Sequence, residues 1–354
     1  MQSSPTTTIP GSAIDRIISL PAMIRQLRLN YRKQEEFIRK SLAVDILEIK
    51  KVNDGTLSGK DFKKIFSYYG LAVPAILGEG YCLLRGKEMS WSERDRLTYM
   101  GSLTGLFDDF FDDKETSEIH IREMINNPRP SAANNSYEEL FIKFYLKVLG
   151  GPGSERVKEL LNMVCDAQLR SMKQKDPGIS KEDIQSITLE KGGASLLFYR
   201  CAFPEEPGES EQKMLYLLGG LGQLENDIFD IYKDYHAQIR TLATTAKEIS
   251  ELRSFYIRLM KDVYSMLDQT TYPGKNKKKF ARLVSLISSR ALVCLDHLQK
   301  QEKLSDGIFD LSSYSRKNLI CDMEKPLNRL KLLRYYLENI YFPGRLDSST
   351  KSLV

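Results

Sequence analysis

Histidine, tryptophan and cysteine are scarce in this chain, with three, one and five residues among 354. The histidines (His120, His236, His297) show no metal-ligand spacing. The cysteines (Cys82, Cys165, Cys201, Cys294, Cys321) form no Cys-x-x-Cys pair, and an odd, scattered set suits a reducing compartment. No run approaches the roughly 20 apolar residues that a membrane helix needs. Met1 to Gly11 is polar and lacks the apolar stretch of a secretory signal, so a cytoplasmic location is expected. There is no nucleophile elbow and no P-loop. Alternating β-branched runs joined by tight hairpin turns are missing too, which argues against a sheet.

What is present reads as a globular all-α protein. The chain is 42% hydrophobic and 28% charged, with a net charge of +5 spread along it. Such a balance excludes disorder and does not by itself indicate nucleic acid. The only dense basic run, Lys275 with Lys277-Lys278-Lys279, has no interleaved stacking aromatics and reads as a solvated loop. Apolar residues recur at helical spacing in nearly every segment. Ser58, Ser90 with Glu93, Ser136 with Glu139, Ser180 and Ser210 are candidate caps. Pro74 predicts a kink within the segment from Lys60 to Leu84. With no internal repeat and no long linker, one bundle of about ten helices over 13–344 is the economical expectation, with loose tails at 1–12 and 345–354.

Two acidic stretches stand out. In the helix predicted around Gly219 to Asp234, Asn226, Asp230 and Asp234 fall at i, i+4 and i+8, so three oxygen-bearing side chains line one stripe. Asp108-Asp109-Phe110-Phe111-Asp112-Asp113 closes another predicted helix and puts four carboxylates in six residues. They repel one another unless protons, bases or metal offset them. Either patch alone is more often solvated surface acid. Both together suit a hard divalent cation, which takes oxygen ligands. Mg²⁺ keeps water and phosphate in its shell, so the implied ligand is a polyphosphate or diphosphate.

The residues one and two turns before each cluster are small. Thr104 and Gly101 precede Asp108, and Gly222 and either Gly219 or Leu218 precede Asn226. Glycine costs about 1 kcal/mol against alanine inside a helix. Tight helix packing is the commoner reason for such residues; room for a ligand beneath the metal ions is the alternative.

Asn226-Asp227-x-x-Asp230-x-x-Lys233-Asp234 resembles the second metal motif of class I terpene synthases, Asn-Asp-x-x-Ser-x-x-Lys-Glu. Asp108-Asp109-Phe110-Phe111-Asp112 is similar to their Asp-Asp-x-x-Asp motif. The resemblance implies a helical bundle with a central cavity, three Mg²⁺ ions, a prenyl diphosphate substrate and, commonly, a homodimer. Carried over by position, Asp108 and Asp112 ligate metal on one wall, with Asp109 a further donor. Asn226, Asp230 and Asp234 chelate an ion on the other, and Lys233 contacts the diphosphate. Asp230 stands where Ser or Thr is usual, and Asp234 where Glu is usual.

Other family features map less closely. Arg334-Tyr335 resembles the Arg-Tyr pair that grips diphosphate, or belongs to an ordinary amphipathic helix. No diphosphate-sensing arginine stands at the matching place before Lys191-Gly192-Gly193, so Arg170, Lys191 and Arg200 are the candidates. Gly192-Gly193 suggests a break that exposes a carbonyl to the cavity, or a packing kink. Gln223 and Asp227 also resemble the second motif of chain-elongating prenyl diphosphate synthases. Those enzymes carry paired arginines after the first motif; here the residues are Lys114-Glu115-Thr116-Ser117-Glu118, which favours a one-substrate cyclase. Outside the superfamily, the alternative is a non-catalytic helical scaffold.

Overall fold

The computed structural model describes residues 13–112 and 116–338, with the side chain of Asp112 outside that description. The tails expected at 1–12 and 345–354 also lie outside it. Helix α1 spans Ala13–Ser41 and α2 Ala43–Val52. Then come α3 (Gly59–Lys64), α4 (Gly70–Ala72) and α5 (Glu79–Arg85), separated by π-helical turns at Ile65–Tyr69 and Val73–Gly78. The chain continues through α6 (Trp91–Asp112), α7 (Glu118–Asn126), α8 (Ser136–Leu149), α9 (Ser154–Ser171) and α10 (Lys181–Arg200). It proceeds as α11 (Glu209–Phe229), α12 (Ile231–His236), α13 (Ile249–Gln269), α14 (Gly274–Leu304), α15 (Arg316–Leu319) and α16 (Pro326–Glu338). The fold is all-α, with no strand among the described residues. None of the described helices is long and apolar enough to cross a membrane.

By compactness the chain divides into two units. The first takes residues 13–19, Arg170–Gly193 and 208–338; the second takes Leu20–Leu169 and Ala194–Pro207, apart from residues not described.

In the first unit α11 packs on α13 and α14, and α14 packs on α16. Leu224, Ile228, Tyr256, Met260, Val263, Leu292 and Leu295 are all buried there. The Tyr256 hydroxyl donates to the Ser288 carbonyl at 2.9 Å. The basic run contributes to the local backbone. Lys277 Nζ donates to the carbonyls of Asp268 at 2.6 Å and Thr270 at 2.8 Å, satisfying acceptors at the end of α13.

The glycines of α10 let α11 come close. A Cβ on Gly192 would stand 2.0 Å from the Gly219 carbonyl oxygen, and one on Gly193 would meet the Tyr216 ring at 2.4 Å. The expected break at Gly192-Gly193 is therefore corrected: α10 runs unbroken, because backbone contact with α11 offsets the glycines' poor helix propensity.

In the second unit α6 packs on α8, and α4 with its flanking π-turns lies against α6. Phe107, Phe110 and Phe141 form the centre of an aromatic cluster with Tyr137, at centroid spacings of 5.1–5.8 Å for Phe110–Phe141, Phe110–Tyr137 and Phe107–Phe141. Pro74, expected to kink its segment, falls in the second π-turn, where a widened register accommodates the missing N–H. Buried Gln34 donates to the Gly70 carbonyl at 3.0 Å and Thr98 Oγ1 at 2.8 Å, and accepts from Arg94 at 2.9 Å.

Several caps follow the sequence pattern. Ser58 with Asp61 closes a capping box on α3, and Ser90 with Glu93 does the same for α6. Ser180 accepts from the Asp183 N–H at 3.0 Å. Two starts are shifted. The cap of α8 is Asn135, whose Oδ1 accepts from the Glu138 N–H at 2.9 Å, and Gly208 precedes α11 where Ser210 was expected.

Candidate metal and diphosphate site

The two motifs lie in different units, the first motif in the second unit and the second motif in the first. On α6, Gly101, Thr104 and Asp108 share one face. Gly101 is occupied by helix packing: a Cβ there would be 2.6 Å from the Tyr69 carbonyl oxygen. Thr104 Oγ1 donates to the Met100 carbonyl at 2.9 Å and accepts from the Tyr199 hydroxyl at 3.0 Å. Asp108 is half-buried and accepts from the Tyr69 hydroxyl at 3.1 Å and from the Gln168 amide. The charge of Asp108, together with burial, pushes the Tyr69 hydroxyl far above its ordinary range, so Tyr69 stays a neutral donor.

Asp109 faces the other way. It is 3% exposed, pairs with Lys64, and accepts from the Tyr137 hydroxyl at 3.1 Å. That hydroxyl also donates to the Leu106 carbonyl at 2.8 Å. Neighbouring acids on one helix thus divide: Asp108 presents its oxygens to neutral polar groups, and Asp109 anchors α6 to α3. Asp112 ends α6, and its side chain lies outside the described residues, as does Asp113.

The second motif spans the junction of α11 and α12. Asp230 leaves helical geometry at φ −91° and ψ 9°. The ladder nevertheless continues: the Asp230 N–H donates to the Asn226 carbonyl at 2.8 Å, and the Asp234 N–H to the Asp230 carbonyl at 2.9 Å. The single helix expected around Gly219 to Asp234 is therefore two, α11 and α12, joined across Asp230 by these two bonds. Asn226 is exposed, and Asp230 is 39% exposed with Lys233 Nζ 3.5 Å away. Burial raises the Asp234 carboxyl to about 6, the charge of Asp230 adds to the rise, and Lys233 and Lys191 oppose it.

Asp227 lies on the inner side of α11 and is 4% exposed. Burial raises its carboxyl to about 7 even though Gln223 donates to it at 2.8 Å and Thr188 at 3.5 Å. Lys191 acts on both Asp227 and Asp234, which makes it a cation of this site. Gly222 is exposed, with open space where a Cβ would stand, so nothing packs against it.

The remaining expected residues stand elsewhere. Arg334 is exposed on α16 and pairs with Glu338 at 2.5 Å. Tyr335 donates to Asp296 at 2.6 Å, as does Arg253, in a network joining α13, α14 and α16. No hydrogen bond or ion pair among the described residues ties Arg334 or Tyr335 to the stripe. Arg170 pairs with Glu190 and with Asp183 at 3.4 Å. Arg200 is buried in the second unit, 5.9 Å from the Phe203 ring. Gly192 is filled by the backbone contact with Gly219, leaving no space beside it for a ligand. Sequence reasoning missed Tyr69, Gln168, Lys64 and Tyr137, whose positions carry no local pattern.

Among the described residues, no three His, Cys, Asp or Glu side chains stand where they could share an ion. By donor chemistry, the carboxamide of Asn226 and the carboxylates of Asp230 and Asp234 fit a hard divalent cation. No protein-family model, curated protein or solved structure matches the chain.

Proposed function

We propose that this protein is an Mg²⁺-dependent class I terpene synthase that ionises a linear prenyl diphosphate and releases a terpene and diphosphate. The observation that supports it most is the stripe of Asn226, Asp230 and Asp234, whose helical ladder persists across Asp230. Bound Mg²⁺ would supply charge neutralisation on a diphosphate leaving group. Asn226, Asp230 and Asp234 would hold an ion, while Lys191 and Lys233 offset charge around it. Asp108, oriented by Tyr69 and Gln168, is half-buried where Asp109 is buried, and would be the first-motif oxygen donor. Asp109, committed to Lys64 and Tyr137, would serve to fix α6 rather than to bind metal.

Incubation of the full chain with geranyl, farnesyl and geranylgeranyl diphosphate and Mg²⁺ tests the proposal. Hydrocarbon or terpene alcohol should appear by gas chromatography, with stoichiometric diphosphate. A requirement for isopentenyl diphosphate would instead identify a chain-elongating enzyme. No product with any chain length, and no Mg²⁺-dependent heat on titration with pyrophosphate, would leave the scaffold account standing.

A further inference from the structure

One cavity lies wholly within the first unit. It is an open groove of about 860 Å³ between the start of α10, the 239–248 loop and the first turns of α13. Its size falls in the roughly 300–1,000 Å³ range of single small-molecule sites. None of Asn226, Asp230 or Asp234 lines it.

The floor is apolar: Leu242 and Leu252 are buried, and Phe255 is half-buried beside them. The rim is basic, with four cations against two carboxylates. Lys181 pairs with Glu251 at 2.9 Å, and the charge of Lys247 also acts on that carboxylate. Arg240 and Arg258 are left, and among the described residues no carboxylate pairs with either. Arg258 lies 5.9 Å from the Phe255 ring, so its charge borders the apolar floor.

Arg240 is also held in place. Its N–H donates to the Gln174 carbonyl at 2.8 Å, and Gln174 Nε2 returns a hydrogen bond to the Arg240 carbonyl at 3.0 Å. Just before it, Gln238 adopts φ 57°, a left-handed conformation that side chains other than glycine seldom take. Just after it, the Thr241 N–H donates to Thr244 Oγ1 at 2.7 Å, and Thr244 Oγ1 donates to the Ile239 carbonyl at 2.9 Å. The loop therefore fixes the base of a guanidinium whose charge no carboxylate among the described residues cancels.

The geometry points to a binding site for a single-chain organic phosphate, its hydrocarbon on Leu242, Leu252 and Phe255 and its phosphate on the basic rim at Arg240 and Arg258. Two such guanidiniums match a dianion, and Arg presents paired N–H donors to phosphate oxygens. A fatty carboxylate, with one charge, satisfies the rim less well. The site needs no metal and does not depend on the terpene synthase reading.

Calorimetric titration of the full chain in EDTA, with decyl phosphate below its micellar concentration, tests this. One equivalent should bind, more tightly than decanoate or inorganic phosphate. Arg240→Gln and Arg258→Gln should each weaken binding roughly tenfold, the value of a charge-assisted hydrogen bond. Phe255→Ala should weaken decyl phosphate more than butyl phosphate, while Lys213→Gln, outside the groove, should change nothing. Circular dichroism melts of each variant establish folding. Absence of heat, equal binding by folded Arg240→Gln, decanoate binding as tightly, or binding only to phosphatidic acid vesicles would each overturn the assignment.

Discussion

At the scale of single residues, Asp108 and Asp109 show how adjacent carboxylates acquire opposite roles. Asp109 is buried against Lys64, and removing one member of a buried pair leaves the other's charge uncompensated. Asp109→Asn should lower unfolding free energy by about 3 kcal/mol, the range for breaking a buried ion pair, as read by urea denaturation. Asp108→Asn keeps a polar partner for Tyr69 and Gln168, so its stability should move by less than about 1 kcal/mol. Its cost should fall on turnover. The exposed donors of the second motif obey the same logic. Asn226→Ala and Asp230→Ala remove no packing, so the melting temperature should hardly change. Turnover of a prenyl diphosphate should drop roughly a hundredfold or more, since each lost metal donor forfeits several kcal/mol of charge stabilisation. Equal losses of stability and activity in these variants would mean that the residues serve the fold alone.

At the scale of helices, glycine is the informative residue, because the same residue type does opposite things at Gly192 and Gly222. A Cβ at Gly192 would stand 2.0 Å from a backbone oxygen of α11, and backbone cannot swing aside. Gly192→Ala should destabilise by roughly 3 kcal/mol, the upper part of the range for overpacked cores. Gly222→Ala meets nothing within 4 Å and gains helix propensity, so it should stabilise by up to about 1 kcal/mol. Chemical denaturation of the two variants checks both signs. Spacing singles out Gly222 and the family resemblance singles out Gly192, but neither tells these cases apart, because the facing helix decides them. Local signals were legible where the physics is local: Ser58 with Asp61 and Ser90 with Glu93 cap helices as their patterns imply. Hydrogen bonds from Asp230 to Asn226 and from Asp234 to Asp230 follow the helical period, whereas the break at Asp230 has no local sequence signal. Tyr69 and Gln168 were not legible, because Gln168 meets Asp108 from sixty residues away, and only the folded backbone brings it there.

For the whole molecule, the buried carboxyls of α11 and α12 link stability to pH and, under the proposed function, to metal. Asp227 and Asp234 rise to about 7 and about 6 from an ordinary 3.8, chiefly through burial. Between those values the folded chain holds protons that the unfolded chain releases. Their contribution to stability is therefore complete near pH 4 and is lost as pH rises through 6 to 7. A divalent cation binds the ionised form, so its stabilising effect grows over the same interval. Without metal the melting temperature should fall between pH 5 and pH 8, and added MgCl₂ should restore more of it at pH 8 than at pH 5. Glu225, raised to about 7 by burial despite Arg290 at 3.5 Å, adds to the slope without belonging to the stripe. Glu225→Gln should flatten the metal-free slope and leave the Mg²⁺ effect intact, whereas Asp234→Asn should flatten the slope and abolish the Mg²⁺ effect. Differential scanning calorimetry of the two variants separates the proton that burial imposes from the one that metal would displace. An Mg²⁺ effect that survives Asp234→Asn would place the ion elsewhere on the chain.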